Sequence, residues 1–150
     1  MTTNKNSIVG NWETGTLSYN FFNDGTYRYY NSRSGMETNA RYSTEGGILT
    51  YHFSDGAISK SEIMLEGNVL MHTQIYPNRG STIYLTRGME GKEELLSKLL
   101  IIKSIASTED DFLKIGSYFA MMNGYKNTAE LLRECEESAA HALLRNRFQF

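Results

Sequence analysis

Hydrophobic and polar residues follow two different periods along this chain, and the period changes near Gly88. Before that point, short alternating or β-branched runs are separated by glycine- and asparagine-containing turns, a pattern typical of antiparallel strands. After it, apolar residues recur every three or four positions, which indicates amphipathic helices. The pattern therefore predicts an α+β chain with a β domain over residues 1–88 and a helical segment over residues 89–150.

Eight strands are predicted in the β domain, joined by tight turns. The turn signals include Asn23-Asp24-Gly25, Asp55-Gly56 and Glu66-Gly67-Asn68, in which glycine and asparagine supply the positive φ angles of hairpins. The predicted strands cover residues 8–13, 16–22, 26–31, 37–44, 48–54, 57–65, 69–76 and 81–87. Consecutive hairpins make a meander. We expect this meander of seven or eight strands to close into a barrel, because closure removes the exposed edges.

Alternation within the strands predicts which side chains point into the barrel, since successive residues of a strand face opposite sides of the sheet. The sets expected to face inward are Leu17, Tyr19 and Phe21 in the second strand, Leu49, Tyr51 and Phe53 in the fifth, Val69, Met71 and Ile75 in the seventh, and Ile83 and Leu85 in the eighth.

About three helices are predicted after residue 88. The first carries a broad apolar stripe within residues 95–105, and Ser107-Thr108-Glu109-Asp110-Asp111 has the composition of a cap and acidic first turn for the second. Asn127 is the expected cap of the third. We expect this segment to pack on the barrel or on a partner, and the stripe suits a core or a homodimer equally well.

Composition restricts the class of protein. The net charge of −2 and the pI near 5.9 argue against direct nucleic-acid binding. With Cys135 as the only cysteine, no intramolecular disulfide can form, and the polar N-terminus lacks the apolar core of a signal peptide. The apolar cluster at 95–105 is interrupted by lysine and serine, so it is not expected to span a membrane. These features predict a cytoplasmic protein.

No catalytic constellation is visible in the sequence. The histidines are His52, His72 and His141, and no cysteine or paired carboxylate stands near them at metal-ligand spacing. Cys135 occupies a core-type helical position, where a thiol acts as a small hydrophobe. Accordingly no catalytic residue, metal site or cofactor is predicted, and the protein is expected not to be an enzyme.

Two motifs carry resemblances. Gly10-Asn11-Trp12, followed by a Phe-x-x-Asp-Gly-Thr-Tyr hairpin, resembles the opening of small lipocalin-like (calycin-type) barrels over residues 8–88. This resemblance implies that Arg87, at the end of the last strand, packs over Trp12 and closes the barrel. Gly124-Tyr125-Lys126-Asn127 and the leucines and cysteine after it resemble one copy of a bacterial helical-hairpin repeat, distantly similar to tetratricopeptide units, with Asn-Thr in place of its usual Asp-Ser.

The tyrosines of the β domain have two interpretations. They either line a cavity for a small apolar ligand or fill the barrel as ordinary core residues, and the filled core is favoured. The candidate cavity residues are Tyr19, Tyr27, Tyr29, Tyr51, His52 and His72. Exposed arginine and tyrosine are instead typical of a protein interface. The candidate interface residues are Arg28, Tyr30, Arg33, Arg41, Tyr42, Arg145, Arg147 and Phe148.

From these observations we expect a non-enzymatic, cytoplasmic protein-binding protein that acts through its surface and whose partner the sequence does not identify. Besides a barrel enzyme, which is the third rival, two alternatives stay open. One is a carrier of a small hydrophobic ligand inside the barrel. The other is a phage-encoded inhibitor of a bacterial defence nuclease, which the small size, the acidic helices and the absence of catalytic motifs permit but do not select.

Overall fold

The computed structural model describes residues 7–147, which form eight strands followed by three helices. The chain divides into two compact units, Met1–Glu94 and Leu95–Phe150. The strands are β1 (Gly10–Thr14), β2 (Leu17–Phe21), β3 (Thr26–Asn31), β4 (Glu37–Glu45), β5 (Ile48–His52), β6 (Ile58–Glu66), β7 (Val69–Tyr76) and β8 (Thr82–Thr86). The helices are α1 (Gly88–Ile105), α2 (Glu109–Ala120) and α3 (Thr128–Arg147).

The strands form a closed antiparallel barrel in sequence order. Each strand pairs with the next, and β1 also pairs with β8 through Glu13 and Thr86, whose hydroxyl donates a hydrogen bond of 3.4 Å to the Glu13 carbonyl. Closure leaves no unpaired sheet edge. The predicted α+β fold, an eight-stranded closed meander followed by three helices, is confirmed.

The barrel core consists of large side chains at alternate strand positions. Trp12, Leu49, Leu70 and Leu85 are 0% exposed, and Phe21 is 1% exposed. Tyr27 and Tyr51 belong to the same buried cluster, and the aromatic residues packed against it are Tyr19, Tyr29, Tyr42 and Phe53. The predicted inward sets of β2, β5 and β8 supply much of it, because the pleat sends every second residue to the same face.

The inward set predicted for β7 is wrong by one residue. Leu70 belongs to the barrel core cluster, and His72 bonds to the buried Tyr51, so these two residues point inward rather than Met71. Val69 is buried but is not part of that cluster. The reason is that β7 begins with three apolar residues in succession, so hydrophobicity alone does not distinguish its two faces.

The start of α1 lies against the turn between β6 and β7. The backbone N–H of Asn68 donates a hydrogen bond of 2.7 Å to the Glu94 carboxylate. Gly91 permits this approach, because a Cβ at its position would stand 2.4 Å from the Asn68 carbonyl oxygen. A glycine in a helix interior ordinarily costs about 1 kcal/mol relative to alanine, so the close contact accounts for its presence here.

The helices of the second unit pack through small and apolar residues. Thr108 is the N-cap of α2 and accepts a hydrogen bond of 3.1 Å from the Asp111 N–H, as the acidic cap pattern predicts. A Cβ added at Gly116 of α2 would lie 3.2 Å from the Leu132 side chain and 3.3 Å from Cβ of Cys135, so α3 approaches closely. Within the described residues, no helix combines the length and apolar character that crossing a bilayer requires.

Candidate functional site

Trp12 and Arg87 form a cation–π contact at the closure of the barrel. The guanidinium carbon of Arg87 lies 4.5 Å from the centroid of the Trp12 ring. The same side chain donates hydrogen bonds to the backbone carbonyls of Ser7, at 2.9 Å, and Val9, at 3.1 Å. The Trp12 indole N–H in turn donates to the Ile8 carbonyl at 2.7 Å. These bonds tie the segment before β1 to the end of β8.

Aromatic rings occupy the interior next to this contact. The Tyr27 and Tyr51 ring centroids are 4.7 Å apart, and those of Tyr19 and Tyr29 are 5.3 Å apart in an edge-to-face arrangement. Centroid separations of about 4.5–7 Å are those of packed aromatic pairs. Tyr27 and Tyr51 are buried, whereas Tyr19 and Tyr29 are only half-buried.

A buried hydrogen bond of 2.9 Å joins the Tyr51 hydroxyl to Nε2 of His72. Burial lowers the pKa of His72 to about 4, so the imidazole is neutral at neutral pH. The same desolvation raises the pKa of Tyr19 to about 12 and that of Tyr51 well above its ordinary value. The interior therefore holds neutral, hydrogen-bonding groups and no charge among these residues.

Ser61 of β6 adds a polar atom to this region and was not among the candidate residues. It is 0% exposed, and its hydroxyl has no hydrogen-bond partner within the described part of the chain. In the ladder it stands opposite Leu49 of β5 and Gln74 of β7. Tyr51 lies in β5 and His72 in β7, the two strands on either side of β6. Their hydrogen bond therefore links β5 to β7 across β6.

His52 does not join the interior residues. It follows the buried Tyr51 in β5, so the pleat turns its side chain outward, and it is exposed. Its Nε2 lies 3.5 Å from the Ser43 hydroxyl on the neighbouring strand. Five of the six candidate cavity residues thus lie within the barrel, and His52 lies on its outer face.

Three candidate interface residues lie together on the outer face of β3 and β4. Arg28 stands opposite Asn39, and Arg41, two residues further along β4, stands opposite Thr26. The guanidinium carbon of Arg28 lies 5.5 Å from the Tyr30 ring centroid, and its Nε forms an ion pair with Glu37. Alternation thus gathers Arg28, Tyr30 and Arg41 on one surface.

The other two candidates from this hairpin lie elsewhere. Tyr42 follows Arg41 and therefore faces the opposite way, packing edge-to-face against Phe21 at 5.1 Å and donating a hydrogen bond of 2.7 Å to the Phe22 carbonyl. It thus contributes to packing at the edge of the core rather than to the outer face. Arg33 is exposed in the loop between β3 and β4, beyond the ends of both strands.

Arg145 and Arg147 belong to the second unit, where both are exposed near the end of α3. Arg145 borders a shallow groove between α2 and α3 that is also lined by Phe112, Ser138, His141 and Leu144. Phe148 lies outside the described residues.

The Cys135 thiol and the possible metal ligands of the described residues are the other candidates for chemistry. Cys135 is buried in α3, and desolvation raises the pKa of its thiol, so the nucleophilic thiolate is disfavoured. Among residues 7–147, no group of three or more His, Cys, Asp or Glu side chains is placed to hold a metal ion.

Neither the family models nor the curated proteins with which the chain was compared give a match.

Proposed function

We propose that this protein is a non-enzymatic binding protein that contacts another protein through its surface. The observation that carries this proposal is the occupation of the barrel by its own side chains. Five large core residues are at most 1% exposed, and packed tyrosine and phenylalanine rings follow them along the interior. A barrel filled in this way supports a role for its outside more than for its inside.

The outer face of β3 and β4 supports the same role. Arginine and tyrosine are enriched at protein interfaces, because a guanidinium and a phenol each combine apolar contact area with hydrogen bonding. Here Arg28, Tyr30 and Arg41 share one surface.

Affinity purification tests the proposal. The tagged protein is expressed in the organism that encodes it, cross-linked reversibly to its neighbours in the cell and purified. We expect one other protein to co-purify in stoichiometric amount. The Trp12→Ala variant is the control, because removal of this fully buried ring disrupts the fold and should abolish specific recovery. If no protein is recovered reproducibly, or if the two chains recover the same proteins equally, the proposal is wrong.

Two finer assignments belong to this proposal. We infer that the barrel is related to lipocalin-like domains, and the position of Gly10-Asn11-Trp12 at the start of β1, with Arg87 over the indole, supports that relationship. We also propose a cytoplasmic location. Three further expectations stay predictions. They are the likeness of residues 124–135 to a tetratricopeptide-like repeat, the formation of a homodimer and the inhibition of a bacterial defence nuclease.

A second candidate function, carriage of a small ligand, is favoured by one observation. The Ser61 hydroxyl is buried and has no hydrogen-bond partner among residues 7–147, and leaving such a group unpaired costs about 1–3 kcal/mol. A ligand atom that bonded to it would remove this cost. Native mass spectrometry of the purified protein tests the idea. A retained mass that is lost in Ser61→Ala, but kept when the exposed Ser97 of α1 is changed to alanine, would favour the carrier over the surface-acting protein.

A further inference from the structure

The β3–β4 hairpin carries two arginine side chains whose guanidinium groups the fold uses only in part. Arg41 is exposed, and its side chain makes no hydrogen bond or ion pair with any residue in the described range 7–147. Arg28 uses only its Nε, in the ion pair with Glu37, which leaves both terminal guanidinium nitrogens without a bond to the described residues. Two guanidinium groups are thus available on one surface.

Two carboxylates close to these arginines, one in the turn between β2 and β3 and one in β4, are already bonded. Asp24 accepts hydrogen bonds from the N–H of Thr26 at 3.0 Å and from its hydroxyl at 2.6 Å. These bonds hold the pKa of Asp24 below its ordinary value, with a smaller contribution from Arg41. Glu37 is the partner of Arg28. Asp24 and Glu37 are thus engaged by Thr26 and Arg28, and neither forms an ion pair with Arg41.

Arg28 is also held in position. Its Nε bonds to Glu37, and its guanidinium lies over the Tyr30 ring, with side-chain exposures of 46% for Arg28 and 42% for Glu37. A side chain that is already ordered loses less conformational entropy when it binds. A guanidinium with two free terminal nitrogens presents a planar donor pair that matches a carboxylate.

The spacing of the two arginines indicates the form of the partner. Because Arg28 is opposite Asn39 and Arg41 is two residues beyond Asn39, the arginines are diagonal neighbours on the outer face, with α-carbons about 7–8 Å apart. Alternate residues of an extended chain point the same way and are about 7 Å apart. An extended segment with carboxylates at every second residue therefore matches both guanidinium groups.

We propose that the outer face of β3 and β4, centred on Arg28 and Arg41, is the docking surface for an extended acidic segment of a protein partner. This inference rests on the proposed function, for which it names the surface and the chemistry of the partner. Asn20 and Asn39, which stand opposite Arg28 on its two neighbouring strands, offer side-chain amides beside the guanidinium groups.

A titration of the full chain with defined peptides tests this assignment. The probe is a decapeptide of alternating glutamate and threonine, and the matched control peptide has glutamine in place of glutamate. We expect the acidic peptide to shift the backbone amide resonances of β3 and β4 in a saturable manner. The binding should weaken as salt rises from about 50 mM to about 300 mM, since exposed charges are screened over this range.

Substitutions separate this face from a general effect of charge. The double variant Arg28→Gln/Arg41→Gln should bind the acidic peptide with an affinity about tenfold lower than that of the wild type. Arg79→Gln, which removes an exposed cation from the loop between β7 and β8, should leave the affinity unchanged. Arg41→Gln alone keeps the Arg28–Glu37 pair and should give an intermediate loss. Unchanged melting temperatures confirm that each variant folds.

Several results would overturn the inference: no saturable binding, equal binding of the glutamine peptide, shifts located away from β3 and β4, or equal affinity in the double variant. Preferential binding of an oligothymidylate to this face would assign it to nucleic acid instead. A partner recovered equally by the wild type and the double variant would overturn this inference alone. Recovery of no partner would overturn the proposed function.

Discussion

The guanidinium of Arg87 lies over the indole of Trp12, 4.5 Å from the ring centroid, and joins the two ends of the barrel. Arg87 follows β8, and Trp12 lies in β1, so the contact spans the seam at which the barrel closes. The Arg87 guanidinium also donates hydrogen bonds to the carbonyls of Ser7 and Val9. These bonds satisfy backbone carbonyls of the segment before β1, which has no ladder bonds of its own.

Removal of the indole should destabilise the barrel more than any other single truncation. Trp12 is fully buried, and its loss leaves a cavity and frees the Arg87 guanidinium. We expect Trp12→Ala to lower the free energy of unfolding by about 3–5 kcal/mol in urea titrations. Trp12→Phe, which keeps an aromatic face for the guanidinium, should lose less. A fully stable Trp12→Ala variant that fails to bind a partner would instead make Trp12 a site residue.

Alanine at Gly91 should destabilise the protein although helix propensity favours it. A Cβ there would stand 2.4 Å from the Asn68 carbonyl oxygen, which belongs to the backbone and cannot move aside by rotation. We expect Gly91→Ala to cost about 1–3 kcal/mol in thermal or urea unfolding. Ser97→Ala, at an exposed position of the same helix, should be neutral or slightly stabilising. If both variants gain stability, the contact between α1 and the β6–β7 turn is not as described.

Stability should depend on pH through His72. Burial lowers its pKa in the folded protein to about 4, below the ordinary value of 6.5, so the unfolded chain binds the proton first as pH falls. The neutral His72 therefore makes its full contribution to the free energy of unfolding above about pH 6.5. This contribution, about 3 kcal/mol in total, is lost as the pH falls towards 4. His72→Gln keeps an amide for the Tyr51 hydroxyl but does not titrate. Its free energy of unfolding should fall less over this range, and parallel pH curves would contradict the prediction.

The Ser61 hydroxyl should be dispensable for stability in the free protein. Because it is buried and has no hydrogen-bond partner among the described residues, Ser61→Ala removes an unpaired polar atom and keeps the remaining contacts. We expect a gain of up to about 1 kcal/mol in the free energy of unfolding. Ser59→Ala, at the half-buried inward position next to it on β6, is the matched control. A clear loss of stability in Ser61→Ala would show that a bound molecule satisfies the hydroxyl.

Much of the barrel follows from local sequence. The signals at Asn23-Asp24-Gly25 and Glu66-Gly67-Asn68 mark turns that the structure contains, and the predicted strand ranges agree with the observed ones to within two residues. This success has a physical basis, because a positive φ angle at glycine and a period of two in the pleat are properties of neighbouring residues. The number of helices and the Thr108 cap were predictable for the same reason, because both depend on residues close together in the chain.

The candidate sites were only partly predictable. Arg28, Tyr30 and Arg41 share a surface because cross-strand register places Arg28 opposite Asn39, and a list of exposed arginines does not contain that register. Tyr42 points towards the core and His52 points outward, opposite to the faces expected for an interface and a cavity. Each lies one position after a residue of the other face, and the pleat reverses direction at every residue. Ser61 was not among the candidates because serine carries no apolar signal, although alternation with Lys60 and Glu62 puts it on the face of Ile63.

The period of each segment and the turns between strands follow from local sequence, and with them the order of the elements. The tertiary structure sets which face of β7 points inward. Leu70 and His72 lie in the interior although Val69 and Met71 are about as apolar as Leu70 and more apolar than His72. The tertiary structure also decided that Arg87 meets Trp12 and that the Tyr51 hydroxyl reaches His72. These contacts join residues far apart in the chain, so they depend on barrel closure and register, which no local pattern specifies.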